Sequence, residues 1–185
     1  MESHRSQEPS PLLVDHVTHF RRGKALDVAT GFGRNALYLA GQGYQVTGLD
    51  RDEGATAFCN AEAARRGLSF TASCVDLEKD PPISNDTYEL VTCFYYLDRN
   101  LLPVMKEAVK VGGVLVYETF LIDQHRKFGK PSRPEFCWGH NELLGHFLDF
   151  RVLFYFEGLQ AGRWISQLIA ERTPSSTGED DHGRI

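Results

Sequence analysis

Short apolar runs alternate with amphipathic stretches from Lys24 onward. Apolar runs of four to eight residues, bounded by turn residues, are typical of parallel strands that are covered on both faces. Five such runs are residues 25–29, 45–49, 68–75, 88–95 and 114–120. The helices predicted between them are residues 35–41, 51–66 and 101–109. Gly67 follows the second helix directly, whereas Gly112 and Gly113 are expected to end the third.

The last two apolar runs break this alternation. Residues 150–157 and 163–171 are separated by only five residues, 158–162, which is too short for a crossover helix. They are therefore expected to pair antiparallel, as a hairpin at one edge of the sheet. The earlier alternation of strand and helix indicates βαβ units. The sequence predicts an α/β fold with a doubly wound, mostly parallel seven-stranded sheet (Rossmann-like) that ends in an antiparallel β-hairpin.

The 185-residue length fits one domain with its own core. Residues 1–11 are polar and expected to be flexible, and residues 12–172 carry the strand and helix pattern. Residues 173–185 are polar without periodicity, which predicts a disordered tail.

Composition and charge exclude several classes of function. A net charge of −5 makes nucleic acid an unlikely partner. No apolar run is long enough to span a bilayer, and the first twenty residues lack a signal-peptide core. The four cysteines form no CxxC pair, which favours reduced thiols and a cytoplasmic location. The seven histidines show no paired-ligand spacing, so no metal site is expected.

A glycine-bearing turn between the first strand and the first helix carries the main chemical signal. It reads Asp27-Val-Ala-Thr-Gly31-Phe-Gly33-Arg34-Asn35-Ala36. Glycines let a backbone approach a ligand closely, because no Cβ intervenes. The turn lies at the carboxyl end of a first parallel strand, where doubly wound sheets bind ligands.

Two classes of ligand fit this turn. Gly31-x-Gly33-x-x-Ala36 matches the dinucleotide fingerprint, with Asp50 as a ribose-binding acid 19 residues after Gly31. Asp27, however, would repel a pyrophosphate and suit a ligand with an ammonium group. The pattern also leaves no room for the second domain that a dehydrogenase normally uses for its substrate. A purely structural turn is the third interpretation.

Two later motifs strengthen the ammonium-ligand interpretation. They are Tyr96-Leu-Asp-Arg-Asn-Leu101 and Lys110-Val-Gly-Gly113, the second preceding a strand that ends Tyr117-Glu-Thr-Phe120. With the glycine turn, they resemble class I S-adenosylmethionine (SAM)-dependent methyltransferases, and most of all the small tellurite-resistance (TehB-like) type. The resemblance covers residues 12–172. Ala29 and Val111 depart from it, because glycine and proline are usual there.

The resemblance implies how the methionyl end of SAM is held. Asp27 and the carbonyl of Ala29 would face the ammonium group, and Gly31 and Gly33 would let the cofactor lie against the turn. The positive end of the helix that starts near Arg34 would attract the carboxylate. The Arg34 side chain either helps this anchor or forms a surface salt bridge.

The same resemblance assigns the adenosine end. Asp50 would accept hydrogen bonds from both ribose hydroxyls, and Arg51 would flank the adenine. Asp76 would receive the adenine amino group, unless it merely caps the following turn, and Leu77 would pack near the ring. Phe94 would lie beside the methionyl part.

The acceptor side is harder to predict, because a sulfonium is already activated and positioning supplies most of the acceleration. No catalytic residue is therefore assigned. The candidates near the transferred methyl are Tyr95, Tyr96, Arg99, Glu118, Gln124 and Arg126. Residues 121–138 are expected to form a substrate lid, although a solvated loop fits the same pattern.

The function expected by resemblance is SAM-dependent methylation of a small-molecule acceptor, such as a thiol or a selenium or tellurium oxyanion. The alternatives are a SAM-binding module without catalysis and, less favoured, a small NAD(P)-binding protein. Neither the acceptor nor the oligomeric state follows from the sequence.

Overall fold

The computed structural model describes residues 8–79 and 81–174. Its strands are β1 (Lys24–Val28), β2 (Gln45–Asp50), β3 (Phe70–Cys74), β4 (Tyr88–Phe94), β5 (Val109–Phe120), β6 (Arg151–Gln160) and β7 (Arg163–Glu171). Its α-helices are α1 (Pro11–His16), α2 (Arg34–Gly41), α3 (Glu53–Arg66), α4 (Leu102–Ala108), α5 (Ile122–Phe128) and α6 (Glu142–Gly145). Two 3₁₀ turns cover Val17–His19 and Pro134–Phe136. Most of the predicted flexible terminus and tail, residues 1–7 and 175–185, lies outside the described residues.

The seven strands form one sheet in the order β3-β2-β1-β4-β5-β7-β6. Strands β1 to β5 pair in parallel, whereas β7 pairs antiparallel with both β5 and β6. This confirms the predicted doubly wound sheet with its terminal hairpin. The direction of winding reverses between β1 and β4, and a crevice at such a switch point is where these sheets bind ligands.

Each face of the sheet buries its own apolar layer. Leu13 of α1 and Leu39 of α2 pack on one face, and Met105 of α4, with Trp138 and Phe147, packs on the other. The carboxyl ends of β1, β2 and β4 are therefore fixed between two packed layers. Within the described ranges, no helix is both long and apolar enough to cross a membrane.

The junction between α4 and β5 differs most from the predicted boundaries. Helix α4 ends at Ala108 and β5 begins at Val109, so the glycine pair lies in the strand instead of ending the helix. A Cβ on Gly113 would lie 2.9 Å from the Lys110 carbonyl oxygen and 3.0 Å from that of Glu89. The glycine there permits close approach of neighbouring backbone.

Residues 8–10, directly ahead of α1, contact the rest of the fold. Ser10 is buried, and its N–H donates to Asn35 Oδ1 at 2.9 Å. Its hydroxyl donates to Glu118 Oε2 at 3.1 Å. This segment, predicted to be flexible, therefore packs beside the start of α2.

Candidate active site

The turn after β1 bends sharply, with positive φ at three residues. Ala29, Gly31 and Gly33 have φ of 55°, 52° and 73°. A Cβ on Gly33 would lie 2.7 Å from Cys59 Sγ, whereas one on Gly31 would meet no atom within 4 Å. Gly33 thus allows close packing against α3, and Gly31 borders open space that a ligand can occupy.

Asp27 is a buried carboxylate that lines a cavity beside this turn. It is only 3% exposed, and it accepts hydrogen bonds from the hydroxyls of Thr30 at 2.7 Å and Thr92 at 2.6 Å. Burial raises the pKa of Asp27 to about 6, although the two hydroxyls and Arg34 act in the opposite direction. Among the described residues, Asp27 forms no ion pair. The cavity thus presents a carboxylate without a cationic partner.

Asp50, at the end of β2, ties the turn to the next helix. Its Oδ2 accepts from the N–H of Gly31 at 2.7 Å, and its Oδ1 accepts from the N–H of Asp52 at 3.0 Å. Asp52 in turn caps α3 through the N–H of Ala55. Each Asp50 oxygen keeps acceptor capacity, which ribose hydroxyls can use.

Two cavities share Ala29 as a lining residue, and the two together are called the cleft below. The first, of about 110 Å³, is lined by Asp27, Ala29, Thr30, Gly31, Phe32, Arg34, Asn35, Phe94, Tyr95, Phe120 and Arg163. The second, of about 400 Å³, is lined by Ala29, Asp50, Arg51, Asp76, Leu77, Glu78, Tyr96, Arg133 and Phe136. Every residue predicted for the cofactor lines one of them, except Gly33, which packs behind the turn. The residues predicted to contact the methionyl part of SAM line the first cavity, and those predicted to contact its adenosine part line the second.

Two residues that line the cleft, Arg34 and Asp76, already have hydrogen-bond partners in the free protein. Arg34 donates from Nη1 to the carbonyl oxygen of Glu8 at 3.1 Å, rather than forming the surface salt bridge considered above. Asp76 pairs with Lys79 at 2.9 Å, and the hydrogen bond from Lys79 lowers the pKa of Asp76. Asp76 also accepts from the N–H of Glu78 at 3.2 Å, as a turn cap does.

Tyr95 and Glu118, two of the residues predicted for the acceptor side, lie close enough for the charge of Glu118 to act on Tyr95. Tyr95 has a φ of 56° and lines the first cavity, and the Arg163 guanidinium lies 5.9 Å from the centre of its ring. Burial, followed by the charge of Glu118, raises the pKa of Tyr95 to about 12. Buried Glu118 also accepts from the hydroxyl of Ser10 and from Gln167 Nε2 at 2.7 Å. Tyr95 is therefore a neutral hydrogen-bond donor near pH 7.

Four acceptor-side candidates lie elsewhere. Tyr96 lines the second cavity instead of the first. Arg99 binds Glu142 and two backbone carbonyls, and it lines neither part of the cleft. Gln124 is buried, with its Oε1 accepting from the N–H of Trp164 at 2.8 Å, because α5 packs against β7. Arg126 is exposed and outside both cavities.

The predicted lid, residues 121–138, is fixed at both ends. Leu121 and Trp138 are buried and form a parallel bridge. The N–H of Ile122 donates to the carbonyl oxygen of Trp138 at 2.8 Å, and the N–H of Trp138 donates to that of Phe120 at 2.9 Å. Helix α5 and the 3₁₀ turn Pro134–Phe136 lie between these anchors. The segment is thus a hydrogen-bonded structure, not a free loop.

Sequence reasoning missed several residues of the cleft. They are Thr30, Phe32, Asn35, Glu78, Phe120, Arg133, Phe136 and Arg163. Thr30 had a local signal, because it lies three residues after Asp27 within the glycine turn. Arg133 and Phe136 were included only as part of the predicted lid, residues 121–138, and they line the adenosine cavity instead of covering an acceptor. Arg163 had no local signal, since only the tertiary fold brings it to the strand ends.

Comparisons with known proteins agree with this architecture. Residues 25–113 match the family model described as a methyltransferase domain. The chain is 31% identical, over 153 residues, to the probable S-adenosyl-L-methionine-dependent methyltransferase TehB of Haemophilus influenzae, covering 80% of this chain and 52% of that protein. It is 26% identical over 111 residues to the ubiquinone biosynthesis O-methyltransferase of Burkholderia orbicola, covering 57% of this chain and 48% of the relative. The chain thus spans about half the length of these curated relatives.

Solved structures show the same fold. The crystal structure of TehB from Haemophilus influenzae has a TM-score of 0.76 at 23% identity, covering 89% of this chain and 62% of that one. Geranyl diphosphate C-methyltransferase from Streptomyces coelicolor has a TM-score of 0.71 at 16% identity, covering 88% and 78%. Residues 25–113 thus match a methyltransferase domain, and the comparisons together support a TehB-like SAM-dependent methyltransferase.

Proposed function

We propose that the chain binds SAM along the cleft and transfers its methyl group to a small-molecule acceptor in front of Tyr95. The observation that carries this proposal is the buried Asp27 carboxylate, which lines the first cavity without a cationic partner among the described residues. A buried charge without a counterion is costly. An ammonium group in this cavity would supply the missing counterion.

The remaining groups of the cleft fit the other parts of SAM. The unpaired N–H groups at the start of α2, with Arg34, offer positive charge to the methionyl carboxylate. Asp50 has acceptor capacity left for ribose hydroxyls, and Asp76 lies in the same cavity for the adenine amino group. A pyrophosphate, in contrast, would bring negative charge towards Asp27 and Asp50. The charge pattern therefore supports SAM over a dinucleotide.

Bound SAM supplies an activated methyl group, so the chain's own residues need to position the acceptor and exclude water. Phe94 and Phe120 provide apolar walls for the first cavity. Tyr95 lines the same cavity, and its raised pKa keeps its hydroxyl protonated.

The charge of this wall favours an electron-rich acceptor. Arg163 lines the first cavity and has no carboxylate partner among the described residues. Together with the Tyr95 hydroxyl, it offers donors to an anionic nucleophile. We therefore propose a thiolate, or a selenium or tellurium oxyanion, as the methyl acceptor.

Calorimetric titration with SAM, S-adenosylhomocysteine and NAD tests the cofactor. We expect micromolar affinity for the first two and no binding of NAD; preferential binding of NAD would overturn the proposal. Transfer of label from methyl-labelled SAM to selenite, tellurite or a small thiol tests the reaction. Tight binding of SAM without transfer to any of them would instead indicate a binding module.

A further inference from the structure

One wall of the second cavity comes from a part of the chain far from the glycine turn. Arg133 and Phe136, at the 3₁₀ turn Pro134–Phe136, line this cavity together with Leu77 and Tyr96. We propose that this turn binds the adenosine end of the cofactor, with Phe136 stacking on the adenine ring. The inference rests on the proposed function, because it takes SAM as the ligand.

Phe136 is the last residue of an exposed stretch, residues 132–136. Its side chain is 43% exposed, whereas its neighbours Cys137 and Trp138 are buried. Neither Phe136 nor Tyr96 packs against another aromatic ring within the described part of the chain. The cavity therefore offers two aromatic side chains that remain available to a flat ligand ring. Stacking on an aromatic side chain is a common way to bind a nucleobase.

Arg99 fixes the backbone on both sides of Phe136. It donates from Nη1 to the carbonyl oxygen of Glu135 at 2.9 Å and from Nη2 to that of Cys137 at 3.0 Å. It also forms two hydrogen bonds with Glu142, at 2.6 and 3.0 Å. The turn is therefore held in place before a ligand arrives, which lowers the entropy lost on binding. Arg99, expected on the acceptor side, is a positioning residue for this turn.

Arg133 lies over the Phe136 ring without adding net charge to this side of the second cavity. Its guanidinium lies 4.8 Å from the centre of the Phe136 ring and pairs with Glu135 at 2.7 Å. The part of the wall that the turn contributes is therefore an aromatic ring beside a neutralised ion pair. Such a wall suits a neutral heterocycle better than a charged group, which points to the adenine.

The experiment compares Phe136→Ala with the wild-type protein in titrations of S-adenosylhomocysteine and 5′-methylthioadenosine. The second compound keeps the adenosine end but lacks the amino-acid end. We expect both to bind about tenfold more weakly to the variant, in keeping with the loss of one stacked base. Phe136→Tyr should retain the affinity, since the ring is preserved. Phe128→Ala is the matched control, because Phe128 is also exposed on this segment but lines neither cavity.

The outcomes separate this inference from the proposed function. If the wild type binds no S-adenosylhomocysteine, the proposed function fails. If the wild type binds it and Phe136→Ala binds it equally well, only the role of the turn is overturned. Weaker binding of S-adenosylhomocysteine with unchanged binding of methylthioadenosine would also overturn it, because Phe136 would then contact the methionyl end. Slower hydrogen exchange of residues 133–137 in the complex would support direct contact.

Discussion

Lowering the pH from 7 to 5 should weaken S-adenosylhomocysteine binding, because Asp27 must be ionised to pair with the ligand's ammonium group. The pKa of Asp27 in the free protein is about 6. At pH 7 roughly nine-tenths of the carboxyl groups are then ionised, and at pH 5 roughly one-tenth. The affinity should therefore fall about tenfold, which is about 1.4 kcal/mol. An ammonium partner lowers the pKa in the complex, so binding at pH 5 releases a proton.

Titration calorimetry at pH 5, 6 and 7, in buffers of different ionisation enthalpy, measures both the affinity and the released proton. Asp27→Asn is the control, since its amide does not titrate. The variant should bind weakly at pH 7, and its affinity should not vary between pH 5 and 7. A wild-type affinity that is the same at all three pH values would refute the assignment of Asp27 to the ammonium group.

The raised pKa of Asp27 also predicts that the ionised carboxylate destabilises the free protein. Its pKa is about 6 when folded, above the ordinary value of 3.8. The protonated carboxyl therefore stabilises the folded protein relative to the ionised one. This stabilisation is fully present below pH 3.8 and is lost as the pH rises through about 6. The pKa shift corresponds to about 3 kcal/mol of unfolding free energy. Without ligand at pH 7, Asp27→Asn should therefore unfold at a higher urea concentration than the wild type; an equal or lower midpoint would contradict this.

Three further substitutions test the roles assigned to Asp50, Gly31 and Gln124. Asp50→Ala should weaken S-adenosylhomocysteine binding by about 1.5–3 kcal/mol, because charge-assisted hydrogen bonds to the ribose are lost; unchanged calorimetric affinity in a folded variant would count against Asp50 as the ribose acid. Gly31→Val should abolish S-adenosylhomocysteine binding while the circular dichroism spectrum is retained. Gly31 has a φ of 52°, which valine rarely adopts, and its Cβ position faces the open space where the ligand is proposed to lie. Normal binding would mean that the turn is only structural. Gln124→Ala should lower the free energy of unfolding in urea by about 1–3 kcal/mol, because the N–H of Trp164 loses its acceptor. Arg126→Ala, at an exposed position on the same helix, is its control and should change stability little; equal effects of the two would show that the Gln124 contact is unimportant.

The sequence predicted the sheet and helices α2, α3 and α4 because each of these elements carried a local signal. The apolar strands and the short link between the last two of them are contiguous in the chain. The sharp end of α3 at Gly67, where φ is 64°, follows from one residue. The extent of β5 did not follow, because pairing with β4 and β7 continues the extended chain back through Gly112.

The placement of Asp27, Gly31 and Asp50 beside the cleft was predictable for a similar reason. Each lies at or just after the end of a strand, and parallel strands present those ends on the same side of the sheet. The acceptor side was not predictable in this way. Gln124 is polar, and the sequence around it has no periodic pattern that predicts a buried face. It is nevertheless buried, because α5 packs against β7. Phe136 lines the second cavity from a turn whose carbonyls Arg99 binds, a contact between residues far apart in the sequence.

The packing of the segment before α1 affects how the protein should be tagged for assays. Glu8 accepts a hydrogen bond from Arg34, and Ser10 contacts Asn35 and Glu118, so this segment lies at the rim of the first cavity. An affinity tag fused directly to Glu8 would begin next to the place where the acceptor is proposed to bind. The other described end is different, because β7 runs antiparallel to β5 and its last residue pairs with Val114 at the opposite edge of the sheet. A tag that follows β7 should therefore leave the cleft free, and comparing the two fusions would distinguish slow turnover from a blocked cleft.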